Sequence, residues 1–495
     1  MPFQIPNIKV GSSISGSYGE DTIADLQKAL TAGYGTDVSQ LTGGAALRVQ
    51  SLERTLLSTV QENKHFRLFN KLLKPKVGAT VDEWTERSGV GGFLGGSTNS
   101  ETGVIRGATG KLQRRVGTVK YLMTRREVSF VASIQEAISN AEAVEQMNGS
   151  LQLLSDAEYL AFEGDASVVG TEFDGIYASL VDGVKTGAIS DDHVIDMRGA
   201  PLNNIAPLTK GAQVIAGYGN FGTPTDLFMP QMVQADLDTK LDPAYRVSLT
   251  SVGSGGLELG APVVGIRTSW GDVATQNDVF VREGLMHQPF QIEFPAEAAA
   301  NTYQPSAVAV AAVDSNASSQ FAAAQAGSYY YLVTGVNSAG QSVGVTTAQV
   351  AIKAGGGATL TITRSASAGE SGYVIYRSRM NGLSSIVGSI AGEGSDFREM
   401  IRIPCAGAST TYTDLNADIP GTVKAYMLNL APSAMALTWR KMLPMLRFNL
   451  YPTVSATIPW AQMMFGYLRI GKRQHHVVYK NILPSSSLWN PFPTA

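Results

Sequence analysis

The residues with the greatest chemical reach in this 495-residue sequence are few. Gly217-Tyr218-Gly219-Asn220-Phe221-Gly222 satisfies G-x-G-x-x-G, and Gln213-Val214-Ile215-Ala216 before it reads as a strand. In a dinucleotide fold such a turn must open a helix, whose first N–H groups meet the pyrophosphate. Pro224 and Pro230 interrupt the next turn, so the motif reads as a glycine-rich turn. Gly110-Lys111 lacks both the glycine five residues earlier and the Ser/Thr afterwards that a P-loop needs, and no G-x-S-x-G elbow exists. Cys405 is the one cysteine and reads as a small buried hydrophobe in a β run. His475 and His476 are neighbours in an expected strand, so they face opposite sides and do not chelate one metal together. Asp191-Asp192-His193 could ligate a metal, but a solvated loop is the preferred reading. Carboxylates crowd residues 155–192, yet acid–base work needs them to converge in a cleft. The expectation is a protein that is not an enzyme, with no catalytic, metal or cofactor site.

Composition narrows the class further. Lys+Arg number 38 and Asp+Glu 41, so charged residues are 16% of the chain and the net charge is −3, against about 25% charged in ordinary soluble domains. The apolar fraction, 44%, is ordinary, and Gly is abundant at 52 residues. The chain can build a large core but has few charges for its exterior, the pattern of a surface covered by other chains. The balance, with pI 6.0, argues against a protein held mainly by nucleic-acid phosphates, which needs a basic excess. One cysteine excludes a disulfide scaffold and a Cys-cluster metal site. No apolar run reaches the length of a membrane helix, about 18 residues, and Met1-Pro2-Phe3-Gln4-Ile5-Pro6 does not read as the start of a signal peptide. The expected setting is a cytoplasm.

Local patterns define the elements that would position these residues. Residues 1–45 read as an extended arm with one amphipathic piece (Ile23, Leu26, Leu30), and 46–73 as a helical pattern (Leu52, Leu56, Leu57, Val60, then Leu68, Leu72, Leu73) ended by Pro75. Two strand-like flanks, Thr80–Arg87 and Val116–Val131, enclose a glycine-dense middle and predict a long β-hairpin. From Thr102 to Arg126 there are seven basic residues (Arg106, Lys111, Arg114, Arg115, Lys120, Arg125, Arg126) and no acidic one. Ile134, Ile138, Ala141, Val144, Met147, Leu151 and Leu154 predict a helix over 132–163 with Gly164 as its cap. Ser155 to Asp192 then holds nine acidic residues, among them Glu158, Glu163, Asp165, Glu172 and Asp174, against Lys185 alone. Residues 195–300 read as mixed α/β with a helix at Asp226–Asp238 broken by Pro230. Residues 303–425 read as short strands (Ala307–Val313, Tyr329–Asn337, Gln349–Lys353, Thr359–Arg364, Tyr373–Arg379, Ile386–Ile390, Phe397–Pro404) without helical period, an antiparallel sandwich. Residues 426–495 return to α+β text, with strands at Gly466–Ile470 and His476–Tyr479.

This order resembles the major capsid protein of tailed bacteriophages, whose fold also forms the floor of herpesvirus capsids. Lys76-Val77-Gly78-Ala79-Thr80-Val81-Asp82-Glu83-Trp84 looks like the start of the family's extended loop. Glu158-Tyr159-Leu160-Ala161-Phe162-Glu163-Gly164-Asp165 and Phe173-Asp174-Gly175-Ile176 look like the end of its spine helix and the turn after it. Gly219 to Pro230 looks like the strand-to-helix passage of its axial domain, and Tyr329 to Gly340 with Tyr373-Val374-Ile375-Tyr376-Arg377 resembles strands of fibronectin type III or other immunoglobulin-like domains. The resemblance implies an α+β capsid fold in six parts: an N-terminal arm and helix at 1–75, an extended hairpin loop at 76–131, a spine helix and peripheral domain at 132–194, an axial domain at 195–302, an inserted all-β immunoglobulin-like sandwich at 303–425, and a return at 426–495. It implies a shell subunit in the virion, assembled in host cytoplasm as hexamers and pentamers around double-stranded DNA without sequence-specific contacts or membrane, with scaffolding, portal and decoration proteins as further partners. On this reading the basic hairpin of one subunit lies on the acidic region of a neighbour, through Arg106, Lys111, Arg114, Arg115, Lys120, Arg125, Arg126 and Glu158, Glu163, Asp165, Glu172, Asp174. The alternative is a surface protein binding carbohydrate or cells through the sandwich.

Overall fold

A computed structural model of the chain describes residues 63–134, 141–217, 219–240, 263–281, 303–382, 396–452, 455–487 and 489–493. Of its two compact units, Met1–Ser58 with Glu136–Asn140 lies outside the described residues, and all described residues belong to the other. The expected arm, the residues Leu52 to Val60, Ile138 and the run Ile386–Ile390 therefore lie outside the described residues.

The first part of the described chain is a ribbon and a long helix. A single turn, α1 (Arg67–Lys71), buries Leu68 and Phe69. Strands β1 (Val81–Gly89) and β2 (Lys111–Thr118) pair antiparallel from Val81↔Thr118 to Gly89↔Lys111. Then come β3 (Lys120–Ser129), α2 (Phe130–Ile134) and α3 (Ala141–Glu163). At 1.5 Å per residue α3 is about 35 Å long. Gly149 within it has a packing reason. A Cβ there would meet Gln462 Oε1 at 2.0 Å, and the Gln462 amide donates to Gln146 O at 2.7 Å across the helix.

The acidic stretch is not one long turn, because α4 (Ile176–Lys185) is a helix that buries Ile176 and Leu180. The next elements are β4 (Val194–Asp196), α5 (Ile205–Ala216), β5 (Asp226–Met229) and α6 (Gln231–Lys240). Two expectations are corrected by them. Gln213–Ala216 is the last turn of α5, not a strand, so the G-x-G-x-x-G comes after a helix and cannot be a dinucleotide turn. Asn204 caps α5, accepting from the Ala206 N–H at 3.1 Å. The segment after it is β5, fully buried, and Pro230 does not break a helix but precedes one; Val233 and Gln234 donate to its carbonyl.

Strands β6 (Gly265–Thr268) and β7 (Gly271–Asn277) complete this part. The regular structure described between 303 and 414 is β apart from one 3-10 turn, Ala323–Gln325: β8 (Ala307–Val313), β9 (Gly327–Tyr329), β10 (Tyr331–Asn337), β11 (Gly340–Gln341), β12 (Val345–Thr346), β13 (Val350–Ile352), β14 (Gly357–Thr363), β15 (Gly372–Ser378), β16 (Phe397–Pro404) and β17 (Ser409–Asp414). The last was not anticipated, and Cys405, just past β16, is half-buried rather than buried. The chain ends its regular structure in β18 (Val423–Leu428), β19 (Leu437–Asn449), β20 (Thr457–Ile470) and β21 (Val477–Ile482).

A mixed six-stranded sheet, order β4-β21-β18-β5-β7-β6, is the centre. Strand alternation divides its side chains between two cores. Leu227, Met229, Ala425, Met427, Val477 and Tyr479 join Leu208, Ala212, Val233 and Leu237 of α5 and α6. Phe228, Tyr426, Leu428 and Val478 join the C-terminal half of α3 (Ala157, Leu160, Ala161, Phe162), α4, Leu68 and Trp439. A second sheet, β19-β20-β3, runs beside α3. In the 303–414 block, sheet β17-β14-β8 and the sheet built on β11-β10-β15-β16 pack over one core that includes Tyr331, Ile375, Leu360 and Ile362. The block is also held from outside its own strands. Met380 N donates to Pro491 O at 2.9 Å, Trp489 lies over Arg398 at 5.3 Å, and Phe492 packs on Arg377.

Phe162 sits 5.8 Å from the ring of Phe228 and 5.1 Å from that of Tyr426 and is fully buried. Phe162→Ala should cost about 3–5 kcal/mol, read as a lowered denaturant midpoint of the full chain.

Candidate functional site

Among the described residues the feature that stands out is the β1–β2 ribbon. Its two faces differ, since directly paired residues share a face. One carries Asp82, Trp84, Glu86, Gln113, Arg115 and Gly117, and the other carries Val81, Glu83, Thr85, Leu112, Arg114 and Val116. The first face rests on β19 and β20. Asp82 accepts from Arg440 Nε at 2.8 Å and Nη2 at 3.2 Å and from the Tyr467 hydroxyl at 2.7 Å, with Arg469 at 3.9 Å. Burial would raise the Asp82 carboxyl, but these hydrogen bonds and charges outweigh it and hold it below its ordinary range. Gly117 lies flat on Tyr467; a Cβ there would meet the ring at 2.4 Å. Trp84, half-buried, stacks under Arg469.

Beyond this anchor the ribbon exposes apolar side chains. Val81, Leu112 and Val116 line its second face, and Val90, Phe93, Leu94, Val104 and Ile105 stand exposed at its tip, with Leu94 fully exposed. These are the residues that sequence reasoning passed over. The signal in the sequence was large apolar side chains scattered in a glycine-dense segment that has no periodicity of its own.

The predicted charged residues are placed differently from expectation. The basic run has its counter-charges inside the chain. Arg114 pairs with Glu83 and Arg115 with Glu86 (3.1 Å), both on the partner strand. Arg125 pairs with Glu127 at 2.8 Å, and Arg126 with Glu145 at 3.3 Å and Gln152 at 2.6 Å. Lys120 donates to Gly170 O at 2.5 Å, in the acidic region of its own chain. Arg106 and Lys111 are exposed. On the acidic side the carboxylates of two candidates are engaged within the chain. Glu158 is fully buried and accepts from the Leu68 and Phe69 N–H groups at 2.6 and 2.7 Å. Glu163 pairs with Lys424 at 2.6 Å and accepts from Tyr426 at 2.8 Å. Asp165, Glu172 and Asp174 form one turn: Asp165 accepts from Ser167, Glu172 from the Asp165 N–H at 3.2 Å, and Asp174 from the Ala166 N–H at 3.0 Å. Burial raises the carboxyls of Glu172 and Asp174, and burial beside Glu172 pushes Asp156 up to about 6. A groove of 920 Å³ runs between the ribbon base (Trp84, Arg115, Lys120) and this turn (Asp165, Asp174) and α4.

Among the described residues no three His, Cys, Asp or Glu side chains converge as a metal site, and no helix is long and apolar enough to cross a membrane. His193 is buried, its Nδ1 2.8 Å from His476 O, and Asp191-Asp192 flank it in a short 3-10 turn.

No family model matches the chain. It is 24% identical over 473 residues to the "Putative major capsid protein" of Enterococcus phage phiEF24C, covering 92% of this chain and 94% of that one. The likeness to a phage capsid chain runs nearly end to end. Solved structures that it is similar to include the capsid of an empty GTA particle (TM-score 0.45, 8% identity, 90% of this chain and 99% of that one). They also include the SrpI encapsulin complex of Synechococcus elongatus PCC 7942 (TM-score 0.42, 9% identity, 91% and 97%).

Asp82 is the carboxylate that Arg440, Arg469 and Tyr467 share, so Asp82→Ala leaves two arginines without it. Removing one partner of such a set costs about 3 kcal/mol. Limited proteolysis should then cut within 90–110 faster than in the unaltered chain, while the 303–414 block stays intact.

Proposed function

We propose that this chain is the major capsid protein of a tailed phage, a structural subunit that assembles in many copies into the virion shell. The end-to-end likeness to a phage capsid chain carries this reading. The ribbon gives it a physical basis. A two-stranded ribbon is marginal alone in water, and this one presents Phe93, Leu94, Val104 and Ile105 to solvent. Each buried apolar side chain contributes about 1.5–3 kcal/mol, whereas an exposed ion pair contributes about 0–1 kcal/mol. Contact with a neighbouring subunit is therefore driven by the apolar tip and second face, and the charged residues set register. Arg106, Lys111, Asp165, Glu172 and Asp174 remain the charged contact candidates. Heterologous contacts of this kind close into rings, here hexamers and pentamers around double-stranded DNA. The 303–414 block is an immunoglobulin-like module displayed on the exterior. Assembly takes place in host cytoplasm, with scaffolding, portal and decoration proteins as partners.

Negative-stain microscopy of the expressed chain tests the class: shells or capsomer rings are expected, and a small stable monomer would overturn the reading. Leu94→Asp with Ile105→Asp should abolish assembly while leaving circular dichroism unchanged. Arg114→Glu with Arg115→Glu, which disturbs pairs internal to the ribbon, should lower assembly yield less. The reverse ranking would restore charge as the driving term.

A further inference from the structure

Three histidines meet at one end of the central sheet. His193 ends the short 3-10 turn before β4, His475 ends another before β21, and His476 follows it. All three are buried. Two asparagines complete the cluster: Asn220, in the glycine-rich turn after α5, and Asn429, just after β18. His193 Nδ1 lies 2.8 Å from His476 O, and His475 Nε2 lies 3.0 Å from Asn220 O. A carbonyl only accepts, so each of these two nitrogens carries a hydrogen and donates.

The remaining contacts require the other side of each ring to accept. Asn220 Nδ2 is fixed as the amide nitrogen, because it donates to Val214 O at 2.8 Å, and it lies 3.4 Å from His193 Nε2. Asn429 Oδ1 accepts from the Ala431 N–H at 3.1 Å, which turns its Nδ2 toward His475 Nδ1 at 3.2 Å. The Asn429 backbone N–H donates to His476 Nδ1 at 3.4 Å. Each imidazole therefore meets an N–H with a lone pair, which only the neutral ring has. A proton added to any of the three sets one N–H against another.

The charges around the cluster do not offset such a proton. Asp192 is next to His193 but is tied to Lys210 of α5 at 3.1 Å, and Asp191 is exposed. Asp182 of α4 is tied to Arg473 at 3.3 Å. The carboxylates of β4 and β5, Asp196 and Asp226, are engaged by Asn481 and Lys71. The cations of β18 and β21, Lys424 and Lys480, are engaged by Glu163 and Asp418. Lys472 opposes a charge on His475, and a charge on any one ring opposes a charge on the next.

We propose that His193, His475 and His476, held neutral, are an acid-released lock on the glycine-rich turn and on the two chain crossings between the central sheet and the β19-β20-β3 sheet. Asn429 lies on the crossing from β18 to β19, and His475 and His476 lie on the crossing from β20 to β21. Asn220 holds a turn in which Phe221 has φ +55° and an exposed ring. That backbone is unusual for a bulky residue, and the bonds through Asn220 retain it. Burial holds all three imidazoles below their ordinary range and pushes His476 down to about 3. A group whose folded pKa is depressed contributes stability that is complete above its unfolded value, here about 6.5, and is lost as pH falls through the folded value. Neutral pH therefore closes the lock and mild acid opens it. The lock lies within one chain, so it does not depend on assembly.

Hydrogen exchange of the full chain, followed on peptides covering 219–225 and 471–477 and corrected for intrinsic rates, tests this. A ring that is neutral while held and titrates at about pH 6.5 once released shifts the opening equilibrium about 30-fold between pH 7.5 and pH 5. Both peptides should therefore exchange about tenfold or more faster at pH 5 than at pH 7.5. The peptide 357–363 of β14, which holds no histidine, should change less than about threefold. His475→Gln keeps an amide nitrogen where Nε2 donates to Asn220 O, and His193→Asn keeps one where Nδ1 donates to His476 O. Neither side chain takes up a proton, so the double variant should lose most of the pH dependence at 219–225. An unaltered chain whose 219–225 exchange is the same at both pH values overturns the proposal, whether or not the variant folds. So does an equal change at 357–363, which would mean that the whole chain loosens, and so does an unchanged pH dependence in the double variant.

Discussion

The burial of the last turns of α3 against the central sheet is the contact on which the rest of the structure depends. Phe162 fills the space between Phe228 and Tyr426, and Ala157, Leu160 and Ala161 join the same core. This places Glu158 under α1 and Glu163 beside Lys424. The helix is thus fixed to the N-terminal part through one carboxylate and to β18 through another, five residues apart. Its other half lies along β3 and β20, where Arg126 and Gln462 reach it. The ribbon in turn is anchored by Asp82 to the sheet that those strands form. An error at Phe162 would loosen both attachments of the helix, while α1 keeps a second tie to the central sheet through Lys71 and Asp226 and the chain after it keeps backbone bonds to β19 at Leu73, Pro75 and Val77.

What could be read in the sequence was what repeats locally. Short β runs set between turn residues, without helical period, marked Ala307–Val313 and Phe397–Pro404, and both are strands with those limits. The three- and four-residue recurrence marked Leu151 and Leu154 on α3. The failures have physical causes. β19 does not alternate cleanly, because its pairing with β20 slips at two places around Leu443. Leu227-Phe228-Met229 is buried on both faces, and such a run carries no period to separate strand from helix. For α5 the reading rested on the apolar Gln213–Ala216 and overlooked Asn204 and Pro207, which are helix-start residues.

The candidate site was half legible for a related reason. Counting charges along the chain finds a basic run, but a strand's electrostatic partners lie on the next strand. Glu83 and Glu86 precede Arg114 and Arg115 by about thirty positions and neutralise them across the ribbon. The same economy recurs in the 303–414 block, where fully buried Arg377 is held by Asp414 at 2.6 Å and Asn416 at 2.8 Å between aromatic rings. Low overall charge in this chain does not mean few ion pairs. It means that a large share of the charges present are used within the fold, and that apolar side chains are left to make external contact.

The segment 489–493 lies over the block's arginines and donates no strand to its sheets. Trp489 also presses on Gly421, where a Cβ would meet its ring at 2.3 Å. The block is therefore not a pendant on two linkers. It has a third attachment, made by chain that has already passed through the central sheet at β21. Val168 and Val169 also pack on Leu332, Val374 and Phe397 of the block, and Arg402 donates to the Tyr159 hydroxyl at 2.8 Å; attachments beyond the two linkers remove the hinge axis that two would define, so force applied to the block is delivered to the rest of the fold as strain and not absorbed as swing.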